Sequence, residues 1–145
     1  MNLKRNKFIL YSLILGFLGF IVATYLTILH YKNIIPPCSL TSNCEKVLTS
    51  QYATIGPIPV ALLGSIFYLL VIAVALLLLT NNKKSYLNVF YFISAVGFTI
   101  SWMLLGIQAF LIHAFCQYCL TSEAISTGIM ILAWLDNRKR TKKSV

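Results

Sequence analysis

Four long apolar blocks, separated by short polar and basic stretches, take up most of the chain. Phe8 to His30 has no acidic or basic residue apart from its terminal His. Ile58 to Thr80 and Tyr86 to Ile112 carry no charge, and Phe115 to Leu135 carries one, Glu123. Each block holds about 20 residues or more, the length an α-helix needs to cross roughly 30 Å of hydrocarbon. The first block is longer than the apolar core of a signal peptide, about 7–15 residues, and lacks a clear small-residue cleavage site, so it reads as a retained span. No soluble domain, low-complexity segment or internal repeat is visible. The pattern therefore predicts one domain over residues 1–145, an all-α membrane protein built as a four-transmembrane-helix bundle.

Composition supports that solvent. The chain is 59% hydrophobic and 10% charged, with a mean hydropathy of +0.82, whereas a soluble domain carries about 25% charged residues. The net charge of +9 does not point to nucleic acid, because the basic residues form no face and are not interleaved with aromatics. They mark span ends instead. Lys4, Arg5 and Lys7 precede the first span, Lys83 and Lys84 separate the second and third, and Arg138, Lys139, Arg140, Lys142 and Lys143 follow the fourth. With four spans, these ten of the twelve positive charges share one side, which the positive-inside rule makes cytoplasmic. Both termini are then expected in the cytoplasm of a multi-pass protein of the cytoplasmic membrane.

Two segments face outward in this arrangement. One is a loop of 27 residues between the first two spans, Tyr31 to Pro57, rich in turn formers: Pro36-Pro37, Ser39, Thr41-Ser42-Asn43 and Gly56-Pro57. A loop this long is usually functional or disordered. Its Val47-Leu48 and Tyr52 to Ile55 are expected to pack down onto the bundle. The other is a short turn near His113 to Phe115.

All four cysteines fall on this outer side. Cys38 and Cys44 lie in the long loop; Cys116 and Cys119 form Cys-Gln-Tyr-Cys at the start of the fourth span. Disulfides persist in extracytoplasmic compartments. A helix start offers free backbone N–H groups and the positive end of the dipole to a thiolate, the species that attacks disulfides. The three-residue offset puts both sulfurs on one helix face. A structural disulfide usually ties distant segments, and Cys-x-x-Cys closes almost no loop. Zinc sites often use Cys-x-x-Cys twice, whereas the first pair here is Cys-x5-Cys beside prolines. Spacing thus favours redox chemistry over structural staples or metal, and no metal is expected.

The order and spacing of several motifs resemble the vitamin K epoxide reductase family in its short bacterial form, over about Phe8 to Trp134. These are the Cys-x5-Cys at Cys38 and Cys44, Val47-Leu48-Thr49-Ser50 with Tyr52, Gly56-Pro57-Ile58-Pro59-Val60, Leu62-Leu63-Gly64-Ser65-Ile66-Phe67-Tyr68, and Cys116-Gln117-Tyr118-Cys119-Leu120. In the unrelated bacterial quinone reductases that also carry four helices and two cysteine pairs, the quinone-linked Cys-x-x-Cys comes first in the chain; here it comes second. The resemblance implies a quinone-dependent thiol oxidoreductase with ubiquinone or menaquinone as acceptor. Its partner would be a separate thioredoxin-like protein, since no fused thioredoxin-like domain follows the fourth span.

The resemblance also implies a relay. Cys38 forms the mixed disulfide with the partner, Cys44 attacks Cys116, and Cys119 passes electrons to quinone. A quinone head needs a few polar groups within an apolar cleft, and the candidates near the outer membrane face are Ser50, Tyr52, Val60, Leu63, Phe67, Phe115 and Glu123. For Leu63 and Phe67, plain helix packing is an equal reading. Vertebrate members hold the quinone with an Asn and a Tyr where this chain has Val60 and Glu123, which favours quinone reduction over epoxide reduction, the alternative enzymatic reading. A disulfide-stapled scaffold is the non-enzymatic one. Glu123, one turn beyond Cys119, is functional by default for its position in the membrane: a donor to quinone, a proton relay, or an interhelical hydrogen bond. His30 and His113, at outer span ends, read as interfacial packing.

Overall fold

The computed structural model describes residues 3–39, 43–81 and 83–143; Thr41 and Ser42, read above as turn formers, lie outside them. The chain runs α1 (Leu3–Lys32), α2 (Cys44–Leu48), β1 (Thr54–Ile55), β2 (Ile58–Pro59), α3 (Val60–Thr80), α4 (Lys84–Gly106) with a π-helical extension (Ile107–Ile112), and α5 (Gln117–Lys143). Four helices among the described residues are long and apolar enough to span a membrane: Lys7–Lys32, Val60–Thr80, Lys84–Ile112 and Gln117–Lys139. The expected four-helix bundle is what the chain forms. α1 packs on α3 and α5, and α4 packs on α5 and α3, so the four close a ring.

A single apolar cluster fills the centre of the ring. Ile9 and Ala23 of α1, Val71, Ala75 and Leu78 of α3, Leu87 and Phe90 of α4, and Ile125, Ile129 and Ala133 of α5 are all buried in it. The outward faces are apolar as well: Phe92 and Phe110, for instance, are exposed on the third span. That combination is the signature of a helix bundle whose surroundings are lipid. Its buried hydroxyls need partners, because hydrocarbon supplies none. Ser12, Thr27, Ser65 and Ser94 each donate to the carbonyl one turn earlier, at 3.0, 2.7, 3.2 and 2.8 Å. Thr24 of α1 adds a 3.3 Å bond to Ser65 across the α1–α3 contact.

Helix ends follow local rules. Beyond α1, Asn33 takes a left-handed φ of 54°, and the N–H groups of Asn33 and Ile34 fold back on the carbonyls of His30 and Leu29 at 3.1 and 3.0 Å. Asn at this position is a common helix stop, and prolines soon after prevent resumption. The second span starts at Val60 rather than Ile58, because Ile58-Pro59 instead pair antiparallel with Thr54-Ile55. The two-residue turn between them has Gly56 at φ 63°, in the first position, where a type II′ hairpin turn calls for glycine. The hairpin also corrects one expectation. Ile55 and Ile58 are cross-strand partners on one face, and both are exposed; the opposite face buries Pro59 against the bundle. Val47, by contrast, packs down as expected and is buried.

The up-and-down order puts the start of α1, the α3–α4 turn and the end of α5 at one end, where Lys7, Lys83, Lys84, Arg138 and Lys139 cluster. There Lys139 lies 4.1 Å over the Phe8 ring and Arg138 5.0 Å over Trp134. The long loop and the α4–α5 connection meet at the opposite end, with all four cysteines.

Candidate active site

At the cysteine end, Cys38 and Cys44 form a disulfide with a Cα–Cα separation of 6.2 Å. Cys44 opens α2, a helix too short to be stable alone and seated on the bundle by its apolar side. Cys44 and Val47 are buried there against Ile112, Ala114 and Cys116, with Cys38, Leu48, Ile107, Tyr118 and Cys119 packed around them. All four cysteines therefore belong to one apolar cluster. Cys44 and Cys116 form its buried centre, with 1% and 0% exposure, while Cys38 and Cys119 are only half-buried.

Cys116 and Cys119 are free thiols. Cys116 lies immediately before α5 and outside the fourth span, and its carbonyl accepts the N–H of Leu120 at 2.9 Å. A hydrogen bond from the Cys119 thiol draws the Cys116 thiol below its ordinary range. Burial opposes this, and the backbone N–H groups of Cys119 and Tyr118 reinforce it. The loop is tied to the same helix start: the Tyr118 hydroxyl donates to the Pro37 carbonyl at 2.9 Å, one residue before Cys38. The Tyr25 ring of α1 stands 5.7 Å from that of Tyr118.

The π-helical extension of α4 supplies a residue the sequence reading did not single out. Gln108, 4% exposed, accepts the Cys116 backbone N–H on Oε1 at 3.1 Å and donates from Nε2 to Glu123 Oε1 at 2.7 Å. Its own carbonyl takes the N–H groups of His113 and of Ala114, the latter at 3.2 Å. His113 turns the chain with a left-handed φ of 51°. The signal that could have found Gln108 is plain in retrospect. An amide inside an otherwise apolar span must find a buried partner, and Glu123 offers one.

The remaining candidates do not share one cavity. Glu123, with Ser101, Trp102, Leu105, Leu120 and Thr127, lines a cavity of about 190 Å³ between α4 and α5. Ser50 lines another, of about 450 Å³, with His30, Asn33 and Gln51 beside the end of α1; its hydroxyl donates to Val47 O at 2.8 Å, docking the residues after α2. Phe67 stacks over Gly97 of α4, where a Cβ would overlap its ring. Val60 is half-buried, and its N–H donates to Ala53 O at 2.9 Å. Leu63, Tyr52 and Phe115 are exposed. Among the described residues, no cluster of three or more His, Cys, Asp or Glu could hold a metal.

Two cysteine pairs at one end of a four-span bundle are now joined by a comparison with known families. The sequence profile of the Vitamin K epoxide reductase family matches residues 10–134. The chain belongs to this family. The match takes in both cysteine pairs, the second and third spans and most of the first and fourth, and the vitamin K epoxide reductase family is one of membrane oxidoreductases, so the chain is of oxidoreductase kind. The short helix that buries Cys44 in one cluster with Cys116, and the glutamine that ties Cys116 to Glu123, are the local devices that shape this end of the bundle.

Proposed function

We propose that the protein reoxidises a thioredoxin-like partner outside the cytoplasm and delivers the electrons to a membrane quinone. The observation that carries this reading is the packing of the Cys38–Cys44 disulfide and the Cys116/Cys119 thiols into one cluster, with Cys44 and Cys116 among its buried members. The clustering of basic residues at the other end supports the orientation.

Each exchange then balances. A partner thiolate attacks Cys38 and frees Cys44 as a thiolate; the partner's second thiol displaces Cys38, leaving the partner oxidised and the outer pair reduced. Cys44 attacks Cys116 of the inner disulfide and releases Cys119. Cys38 then attacks Cys44, restores the outer disulfide and expels Cys116, whose depressed pKa makes it a good leaving group. Half-buried Cys38 meets the partner and half-buried Cys119 faces the acceptor, while Cys44 and Cys116 exchange out of water.

Quinone is the electron-accepting substrate, taking two electrons and two protons from the inner dithiol. The residues around Glu123 fit such a head group. Glu123 Oε2 is buried with no hydrogen-bond partner among the described residues, and the cavity beside it is walled by Trp102, Leu105 and Leu120. Ubiquinone and menaquinone are the natural acceptors to test. Ser50, Tyr52, Val60, Leu63, Phe67 and Phe115 are the further proposed quinone contacts. Purified protein, mixed with a reduced thioredoxin-like protein and either quinone, should lose quinone absorbance catalytically. Partner oxidation without quinone reduction, or neither, would refute the assignment.

A further inference from the structure

Gln108 and Glu123 form a hydrogen-bonded unit whose polarity is fixed by the backbone. The Cys116 N–H can only donate, so the Gln108 amide must present Oε1 to it and Nε2 to Glu123. Nε2 can only donate, so Glu123 Oε1 must accept. Any proton on this carboxyl therefore resides on Oε2. That oxygen is buried and has no hydrogen-bond partner among the described residues, and Glu123 lines the α4–α5 cavity. Glu123 lies four residues after Cys119, one helical turn along the same face.

We propose that Gln108 is a positioning residue for proton transfer. One amide anchors Glu123 Oε1 to the Cys116 backbone and leaves Oε2 as the group that passes protons between Cys119 and the electron acceptor. This inference rests on the quinone-reducing function proposed above. Closure of the Cys116–Cys119 disulfide releases two electrons to the acceptor. Glu123 gives its Oε2 proton to one acceptor oxygen and regains a proton from the Cys119 thiol. The second proton comes from solvent, replacing the one lost when Cys116 ionised. Glu123 thus ends the turnover as it began, and no net charge is left within the span.

The test uses the full chain in nanodiscs and two separate rates. One is disulfide exchange with a reduced thioredoxin-like partner in the absence of quinone. The other is single-turnover quinol formation by pre-reduced protein with short-chain ubiquinone. Glu123→Gln should slow quinol formation about 100-fold or more, the scale of a lost general acid. Gln108→Met should slow it about tenfold beyond any loss in thiol exchange, as expected for one positioning hydrogen bond to a charged or acidic group. The double variant should be no slower than Glu123→Gln alone, since both act through one group. Gln108→Glu, which when protonated keeps one donor and one acceptor, should recover most of the rate.

Infrared difference spectra provide a readout independent of turnover. The protonated-carboxyl band should vanish in Glu123→Gln and move to higher frequency in Gln108→Met. Equal losses in both rates for Gln108→Met, multiplying losses in the double variant, or no recovery in Gln108→Glu would reduce Gln108 to a structural tie and overturn the proposal. If the wild type exchanges thiols but forms no quinol, the quinone function itself fails, while the infrared shift still reports on the Gln108–Glu123 pair.

Discussion

Replacing Gly19 by alanine should loosen the α3–α5 contact beside the candidate active site. Gly19 of α1 faces the ring of Tyr68 of α3 so closely that an added Cβ would overlap the ring. Tyr68 is 2% exposed, so the ring has no open space to swing into. Its hydroxyl donates to the Ser122 carbonyl at 2.7 Å and lies 2.8 Å from the Ser122 hydroxyl, pinning α3 to α5 three residues beyond Cys119. Overpacking at such a contact costs about 1–3 kcal/mol, and loss of the hydrogen bond adds roughly 0.5–1.5 kcal/mol. The better helix propensity of alanine returns about 0.8–1 kcal/mol. The net destabilisation is about 0.5–3.7 kcal/mol, a fall in melting temperature of roughly 2–4 °C for each kcal/mol. Thermal unfolding in detergent, followed by maleimide capture of the buried Cys116, measures it directly. Tyr68→Phe separates the two contributions, since it removes only the hydrogen bond and should cost roughly 0.5–1.5 kcal/mol. A Gly19→Ala protein that melts with the wild type would show that α1 and α3 do not touch here, and the packing argument would fall.

Three further outcomes are expected. A membrane-impermeant thiol reagent should label the reduced cysteines in intact cells or spheroplasts, because ten basic residues share the other side; labelling only after permeabilisation would reverse the orientation. Cys119→Ala should trap a Cys44–Cys116 disulfide, holding proteolytic fragments of the outer loop and α5 together on non-reducing electrophoresis until reductant is added. Fragments that separate without reductant would remove the loop from the relay. Tyr118→Phe deletes the 2.9 Å bond to Pro37. It should slow Cys44–Cys116 exchange about two- to tenfold, the worth of one hydrogen bond, with stopped-flow exchange at an unchanged rate as the contrary result.

How much of this could be read from the chain depended on the range of the forces involved. The four spans were legible because hydropathy acts on blocks of some twenty residues. The cysteines were legible because their spacing and place relative to those blocks are one-dimensional facts. α2 was not, since five residues from Cys44 to Leu48 carry no resolvable period; the helix exists because it can bury Cys44 and Val47 on the bundle. The outward Ile55 was misjudged for a related reason. Apolar identity suggested burial, and only the hairpin register decides which face is inside. Gln108 needed the π-helical turn and left-handed His113, which together carry the end of the third span back toward Cys116. The scattering of Ser50 and Glu123 into separate cavities likewise depends on how α1, α4 and α5 are disposed around the ring.

The lid that α2 forms over Cys116 has a consequence for selectivity in a crowded thiol environment. Small thiols diffusing past the membrane surface meet Cys38, yet Cys116 is wholly enclosed by Val47, Ile112, Ala114 and their neighbours. Direct attack on Cys116 by a passing reductant is thereby obstructed by packing rather than by redox potential. Access to Cys116 is left to Cys44, which is buried in the same cluster. The apolar underside of a five-residue helix thus works as insulation around a conductor. Widening that seal, for instance by trimming Val47, would open Cys116 to thiols that belong to other reactions.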